Sequence, residues 1–326
     1  MKFREFGNTG MKISVIGLGT WQIGGTSTFA GKQIGWGNIN DNIAAEVLNT
    51  AYDQGINFFD SADTYGRGKS EILIGKILKD RRKNIIISSK FGNRETDDKK
   101  WIKDFSAKWM VKSLEGSLRR LKTDYIDLYM LHSPMPDYKL DDEIVKALEK
   151  QRRLGKIRFW GISLIPNGRG IVPANQGIKF INSEKPFDFF ELRYNIFERE
   201  PEEILFPICK KNNIGVIARV PLSSGFLSGK YQENITFPSN DLRSAISKDK
   251  IKELVQKANK LKFMEQRTGK TLAQIAIKFC AQNPAVSTVI PGARSVEQVK
   301  LNAKAADMED FTRVELQKIY DAVPIK

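Results

Sequence analysis

The sequence predicts an α/β fold, a (β/α)8 parallel barrel with an N-terminal β-hairpin and a C-terminal helix, on three observations. Short apolar runs recur along the chain, each bounded by polar or Gly/Pro turns, as strands buried on both faces should read. Helical periodicity fills the intervals between them. Three of the runs end in a proton-handling side chain: Ile56-Asn57-Phe58-Phe59 in Asp60, Ile85-Ile86-Ile87-Ser88-Ser89 in Lys90, and Ile126 to Leu131 in His132, the single histidine. Neighbouring strands lie about 4.8 Å apart. Residues closing successive strands of a TIM-type barrel therefore converge on one pocket at its C-terminal face, where such barrels place their chemistry.

In chain order, Lys2-Phe3-Arg4 and Lys12-Ile13 flank Gly7-Asn8-Thr9-Gly10 and read as a hairpin that covers the bottom of the barrel. Ser14 to Leu18 is the first barrel strand. Helices are expected at Asp41 to Gln54, Lys69 to Lys79, Ala107 to Leu121 and Asp141 to Leu154, each separating two strand candidates. Ile157 to Ser163, Phe187 to Leu192, Gly215 to Ala218 and Ser287 to Ile290 supply four more strands. Further helices are expected at Glu202 to Lys211, Lys248 to Gly269, Thr271 to Gln282 and Ser295 to Ala305, and Val314 to Asp321 is a terminal helix. The chain has 326 residues; barrels of this class often exceed about 250 residues as one domain, and residues 1–326 read as one.

Met1-Lys2-Phe3-Arg4-Glu5 lacks an apolar signal core, and no run approaches the roughly 20 apolar residues that span a bilayer. A cytoplasmic protein is expected. Cys209 and Cys280 fall in helical segments away from the strand ends, so neither a disulfide framework nor a metal site is expected. Lys and Arg number 53 against 38 acidic residues, a formal charge of +15. Much of it is spread over helix surfaces such as Lys248, Lys250, Lys252, Lys257, Lys260 and Lys262, without an aromatic-interleaved basic platform. That points away from nucleic acid and membrane and toward steering of anionic ligands.

Asp60, Tyr65, Lys90 and His132, in this order and context, resemble the catalytic tetrad of the aldo-keto reductase superfamily. The similarity runs over nearly the whole chain. It includes Gly17-Leu18-Gly19-Thr20-Trp21, Asn57 to Gly66, Gly161-Ile162-Ser163, Tyr194-Asn195, Pro221-Leu222 to Gly229-Lys230-Tyr231, and Ile290-Pro291-Gly292-Ala293; the Asp60 to Tyr65 segment is the most specific. The resemblance implies NAD(P)H-dependent reduction of an aldehyde or ketone. A tyrosine near pKa 10 is a poor acid at neutral pH without help. Lys90 is expected to lower the Tyr65 pKa, Asp60 to keep Lys90 charged, and His132 to hydrogen-bond the carbonyl oxygen.

The same resemblance implies an extended nicotinamide dinucleotide across the barrel mouth. It implies contacts at Gly19, Thr20, Trp21 and Asp60, and at Ser163, Glu191 and Arg219 around the nicotinamide. Leu222, Ser224, Gly225, Leu227 and Lys230 align with the pyrophosphate loop, and Gly292, Arg294, Gln298 and Asn302 with the adenosine end. Arg294 is the candidate for a 2′-phosphate, a group a guanidinium grips well, which favours NADPH. Three positions depart from the family pattern: Leu164 where many relatives have Asn, Glu191 where a glutamine is usual, and Arg219 where an aromatic is common. A carboxylate at Glu191 can still accept hydrogen bonds from a carboxamide.

Two other motifs compete. Tyr65-Gly66-Arg67-Gly68-Lys69 matches the Tyr-x-x-x-Lys of short-chain dehydrogenases, but that pair needs a helix, in which Gly66 and Gly68 would each cost about 1 kcal/mol. Gly17-x-Gly19 hints at a Rossmann turn, but the loop Trp21 to Asn40 follows instead of a helix. A non-catalytic redox sensor or regulatory subunit is the rival class, since relatives with this barrel partner membrane channels. The expected partner is a small carbonyl substrate. Phe29, Trp36 and Trp101 are expected to wall the site; Arg67, Arg94 and Lys32 are candidates for selecting anions, with plain solubility as the simpler account. The particular carbonyl compound and the oligomeric state are not read from the sequence.

Overall fold

A computed structural model of the chain describes residues 1–165 and 173–325. Eight parallel strands form one sheet: β1 (Leu18–Gly19), β2 (Phe58–Asp60), β3 (Ile86–Phe91), β4 (Ile126–His132), β5 (Ile157–Ser163), β6 (Phe189–Arg193), β7 (Gly215–Arg219) and β8 (Thr288–Ile290), each paired with its sequence neighbour. The sheet closes on itself. Ile16 bridges Val289 and Gly19 bridges Gly292, both parallel, and Gly17 N donates to Val289 O at 2.8 Å. Gly17 is required there, because a Cβ would lie 2.8 Å from the Phe58 ring.

The barrel interior is an apolar plug of Phe58, Ile86, Leu128, Met130, Phe189, Ile217 and Ile290. The hairpin formed by Phe3–Glu5 and Lys12–Ser14 seals its lower end: Phe6 and Ile13 join that plug, and the Phe6 ring meets Phe189 with centroids 5.5 Å apart. Burial of these side chains contributes about 1.5 to 3 kcal/mol each, and the chemistry is left to the open upper end.

The outer layer follows the predicted periodicity at Asp41–Asp53, Lys69–Ile77, Ala107–Leu121, Asp142–Arg153, Leu272–Gln282 and Val296–Lys304. Ser106, Asp141, Thr271 and Ser295 cap four of these helices through their side-chain oxygens, each satisfying an orphan N–H. Cys209 and Cys280 are buried in helices Leu205–Lys211 and Leu272–Gln282.

The structure corrects the sequence reading at several points. The first barrel strand is Leu18–Gly19, not Ser14 to Leu18, because Ser14 belongs to the hairpin, where it pairs with Phe3 and takes Asn57 Oδ1 on its N–H at 2.8 Å. Lys248 to Gly269 is two helices, Lys248–Asn259 and Lys262–Thr268; the turn between them buries Leu261, beside Met264 of the second helix. Leu205–Lys211 begins three residues later than expected, behind a 3-10 turn at Glu200–Glu202. The β5 to β6 crossover holds an unexpected helix, Pro173–Ile181. Above the barrel, Ser27–Phe29 pairs with Lys32–Ile34 and Asn93–Glu95 with Trp101–Lys103, two hairpins, the first of them inside the segment Trp21 to Asn40 that was expected as a loop. Among the described residues no helix is long and apolar enough to cross a membrane.

Candidate active site

Asp60, Lys90 and His132 stand at the upper ends of β2, β3 and β4, and lateral register carries the row onward: Asp60 lies opposite Ser88, His132 opposite Ser163, and Ser163 opposite Glu191. Strand alternation turns Ser88 and Lys90 inward and sends Ser89 outward, where its hydroxyl donates to Glu71 at 2.6 Å. Tyr65 comes from the turn after β2. Gly66 permits that turn, with φ of 60° and a backbone so close to the residues after β1 that a Cβ would sit 2.1 Å from Gly24 O.

Lys90 is the hub. Its ammonium is fully buried and lies 2.5 Å from Asp60 Oδ1, 2.9 Å from Ser61 O and 3.5 Å from the Tyr65 hydroxyl. Glu191 Oε2 approaches it at 3.3 Å, close enough for Coulomb attraction but without a directed hydrogen bond. Ser88 Oγ donates to Asp60 at 2.6 Å, Ser163 Oγ donates to Glu191 at 2.8 Å, and Arg219 Nε stands 3.4 Å from the same Glu191 oxygen. The Arg219 guanidinium is tethered on its other side by a 2.9 Å bond to Leu164 O.

Two carboxylates thus share one ammonium. Burial and the charge of Glu191 push Asp60 up to about 7, against the pull of Lys90. Burial also acts to raise Glu191, but Lys90 and Arg219 outweigh it and hold its carboxyl below the usual range. Burial opposes the charge on Lys90, yet Asp60 and Glu191 together drive its pKa up. The Tyr65 phenol is raised, not lowered as the sequence reading expected. Burial is the largest cause, and Asp60 and Glu191 add to it, so the downward pull of Lys90 is overcome. The sequence argument counted the cation without the desolvation of the hydroxyl. His132 is driven well below its usual value by burial and by Lys103, Lys90 and Arg219, and is therefore neutral.

Trp21 stacks on Tyr65 with centroids 5.5 Å apart, and Trp36 meets Trp21 edge-on. His132 stands edge-on to Tyr65 at 6.1 Å. Phe29 and Trp101 pack together at 4.9 Å where the two upper hairpins meet. Glu95 ties those hairpins through Arg67 at 2.6 Å and Ala30 N–H at 3.1 Å, and Arg94 is paired with Asp104 at 2.7 Å. Two of the three arginine and lysine candidates for anion selection are therefore already neutralised, and Lys32 is exposed on the hairpin.

The remaining expected cofactor positions lie around the same rim. Ser223, Ser224 and Gly225 all have positive φ, 45°, 57° and 95°, in the turn after β7, and the Gly225 N–H is spent within the turn on Leu222 O at 2.8 Å. Leu222 precedes them, Leu227 is buried behind them, and Lys230 follows with its ammonium 5.0 Å from the Tyr231 ring. The Thr20 hydroxyl is spent internally, on Asp60 O at 2.7 Å and Ser70 Oγ at 2.6 Å. Gly19 lies so close to β8 that a Cβ would be 3.0 Å from Ile290 O, and the Gln22 side chain covers Gly292. Gln298 accepts from Arg294 N at 2.8 Å, and Asn302 Nδ2 reaches Gly292 O at 3.4 Å. The Arg294 guanidinium holds Asn38 O at 2.7 Å and also Trp36 O, so it pins the Trp21 to Asn40 segment over this end of the groove.

Sequence reasoning missed Arg243. It makes two bonds to Asp241, at 2.9 and 2.6 Å, reaches Ser224 O at 3.3 Å, and lies against Phe237 and Trp36. Nothing around it in the sequence marked it as different from other surface arginines. Tyr65 and Lys69 do not form a pair: Lys69 opens the helix Lys69–Ile77 and salt-bridges Asp41 at 2.7 Å on the surface. The short-chain dehydrogenase reading is overturned.

A model of the Aldo/keto reductase family matches residues 15–323. The chain is similar to aldo-keto reductase YhdN of Bacillus subtilis, 32% identical over 92% of this chain and 87% of that protein. In three dimensions it resembles the glycerol dehydrogenase AKR11B4 from Gluconobacter oxydans, with a TM-score of 0.81, 28% identity and coverage of 98% of this chain and 94% of the other. It also resembles the holo form of aldo-keto reductase AKR11C1 from Bacillus halodurans, with a TM-score of 0.79, 29% identity and coverage of 100% and 97%.

Proposed function

The chain belongs to the aldo/keto reductase family of oxidoreductases, and from that premise we propose that it reduces an aldehyde or ketone to an alcohol with NADPH, Tyr65 giving the proton. Residues 1–326 act in this reading as one catalytic domain. The observation that carries it is the meeting of the Lys90 ammonium with Asp60, Glu191 and the Tyr65 hydroxyl in one buried cluster at the barrel mouth.

The residues present suit a nicotinamide dinucleotide. Glu191 Oε2 is buried without a hydrogen-bond partner, and such an oxygen is an acceptor for a carboxamide NH2. Ser163 and Arg219 flank it, the turn Ser223–Ser228 with the Lys230 cation after it suits the pyrophosphate, and Arg294 suits a 2′-phosphate. The bound cofactor supplies the hydride for the carbonyl carbon. Tyr65, kept protonated by its raised pKa, donates its hydroxyl proton to the carbonyl oxygen, and the adjacent Lys90 ammonium stabilises the phenolate that this leaves. Neutral His132 orients the same oxygen by a hydrogen bond. A panel of small aldehydes and ketones with NADPH, followed at the nicotinamide absorbance, tests the reading.

Arg294→Ala is expected to weaken NADPH binding about 10-fold to 150-fold, the worth of a charged hydrogen bond, and to leave NADH almost unaffected. Fluorescence titration of both cofactors measures this. Equal losses would mean that Arg294 acts only by holding Trp36 O and Asn38 O.

Glu191→Gln removes one of the two negative charges that raise Tyr65. The Tyr65 pKa should fall, and since the acid must be protonated, the alkaline limb of kcat/KM should move to lower pH. An unmoved limb would show that Glu191 does not act on Tyr65.

A further inference from the structure

We propose that Lys103 is a specificity residue that selects carbonyl substrates carrying a carboxylate or phosphate, and this rests on the carbonyl-reduction reading above. Lys103 ends the second upper hairpin, and its ammonium donates to the backbone oxygen of His132 at 2.8 Å. That bond brings a flexible cationic side chain to the strand end that carries the residue expected to orient the substrate.

Three observations point to an anion. First, among the described residues Lys103 has no carboxylate within salt-bridge distance, although the neighbouring rim cations do: Arg67 has Glu95, Arg94 has Asp104 and Arg219 has Glu191. Residues 166–172, Pro-Asn-Gly-Arg-Gly-Ile-Val, contain no carboxylate either. Second, Asp60 and Glu191 are committed to Lys90 and Arg219, while the carboxylates nearer Lys103, those of Asp63, Asp137 and Asp141, form no salt bridge with it. An anionic substrate group would supply Lys103 with the close counter-charge it lacks. Third, the ammonium is partly withdrawn from water and lacks a full set of partners, and burial lowers its pKa to about 8, with Asp63 opposing and Arg219 adding to the effect. A desolvated cation gains more from an arriving anion than a fully hydrated one does. The formal charge of +15 steers such substrates toward the protein at low salt.

The pH dependence has a definite sign. Lys103 is charged below about 8 and loses its proton above it. Within reach of that charge stand His132, which is neutral, Arg219 and Lys90, whose cations persist at high pH, Asp63, which burial pushes up to about 7, and, across the pocket beside it, Asp137, Asp141 and the Tyr138 hydroxyl, whose pKa burial raises. The preference for an anionic over a neutral substrate in kcat/KM should therefore shrink as pH rises through about 8.

The test compares butanal with 4-oxobutanoate, and glyceraldehyde with its 3-phosphate, for the wild type and Lys103→Gln. Glutamine keeps a donor for His132 O while removing the charge. The wild type should prefer the anionic member of at least one pair; which pair responds distinguishes a carboxylate from a phosphate. Lys103→Gln should reduce that preference about 10-fold to 100-fold. No preference in the wild type, or equal losses for neutral and anionic members, would overturn the proposal, the second outcome making Lys103 a prop for β4. If no carbonyl is reduced at all, the reaction assignment fails instead, and binding of 4-hydroxybutanoate and of glycerol 3-phosphate by calorimetry to both proteins decides the role of Lys103. Equal affinities, or no binding to the wild type, would then overturn it.

Discussion

Tyr65→Phe should lower carbonyl reduction by about 100-fold to 10,000-fold, the usual worth of a positioned general acid, while NADPH affinity stays within a few-fold. The substitution deletes one oxygen atom. Among the described residues the hydrogen bond of that oxygen is the 3.5 Å contact from Lys90, so its removal costs the fold little. The ring that stacks on Trp21 is retained, and the walls of the site keep their shape. Steady-state kinetics paired with cofactor titration checks this. Turnover close to wild type in a folded Tyr65→Phe protein would remove Tyr65 from the chemistry, and a parallel loss of cofactor affinity would make it a binding residue.

Lys90→Met should be nearly as damaging to activity and much more damaging to stability. It strips the stabilising charge from beside the phenol and leaves Asp60 and Glu191 in a buried site without their shared cation. Breaking a buried ion pair by removing one partner typically costs about 3 to 5 kcal/mol. Arg219 still holds Glu191, so Asp60 carries most of the penalty. The sign with pH follows from linkage: without Lys90 the buried Asp60 carboxyl has a pKa raised above its unfolded value, and the folded state binds more protons than the unfolded one. Stability is then retained at low pH and lost as pH rises through the raised pKa. Denaturant unfolding should show a smaller deficit against wild type near pH 5 than near pH 8. A deficit that does not change with pH would mean that the loss comes from packing of the lysine stem.

Much of this fold was legible because a parallel barrel writes itself in continuous apolar runs. Ile157–Ser163 and Ala107–Leu121 have the predicted bounds, and Asp60, Lys90 and His132 could be placed at one mouth because each interrupts such a run at its end. What escaped was set by contacts distant in sequence. The helix Pro173–Ile181 follows a stretch with two glycines and a proline and contains Gly177, against which the Leu205 side chain packs so closely that a Cβ would lie 2.8 Å from it. The two upper hairpins have no strong turn signal and are fixed by Glu95 reaching Arg67 and Ala30. Lys103 was one lysine among many until the fold placed it beside His132 O without a carboxylate. The Tyr65 pKa was misjudged for a related reason: the charges nearest to it follow from strand order, whereas its burial depends on how Trp21 and the loop after β1 close over it.

The departures at Glu191 and Arg219 also read differently in three dimensions. Each alone looks like the loss of a nicotinamide contact. Together they form an ion pair across β6 and β7, at 3.4 Å, in which each buried charge has the other as partner. Substituting one without the other should therefore cost more than substituting both, since a lone buried charge is left in the first case.

The most direct test of the account is turnover itself. Purified protein mixed with NADPH and a panel of small aldehydes and ketones should consume the cofactor in proportion to the alcohol formed, with at least one compound reduced at a rate that Tyr65→Phe abolishes. Tight binding of NADPH with no oxidation by any carbonyl in the panel would contradict it, and would make the chain a cofactor-binding sensor built on the same barrel.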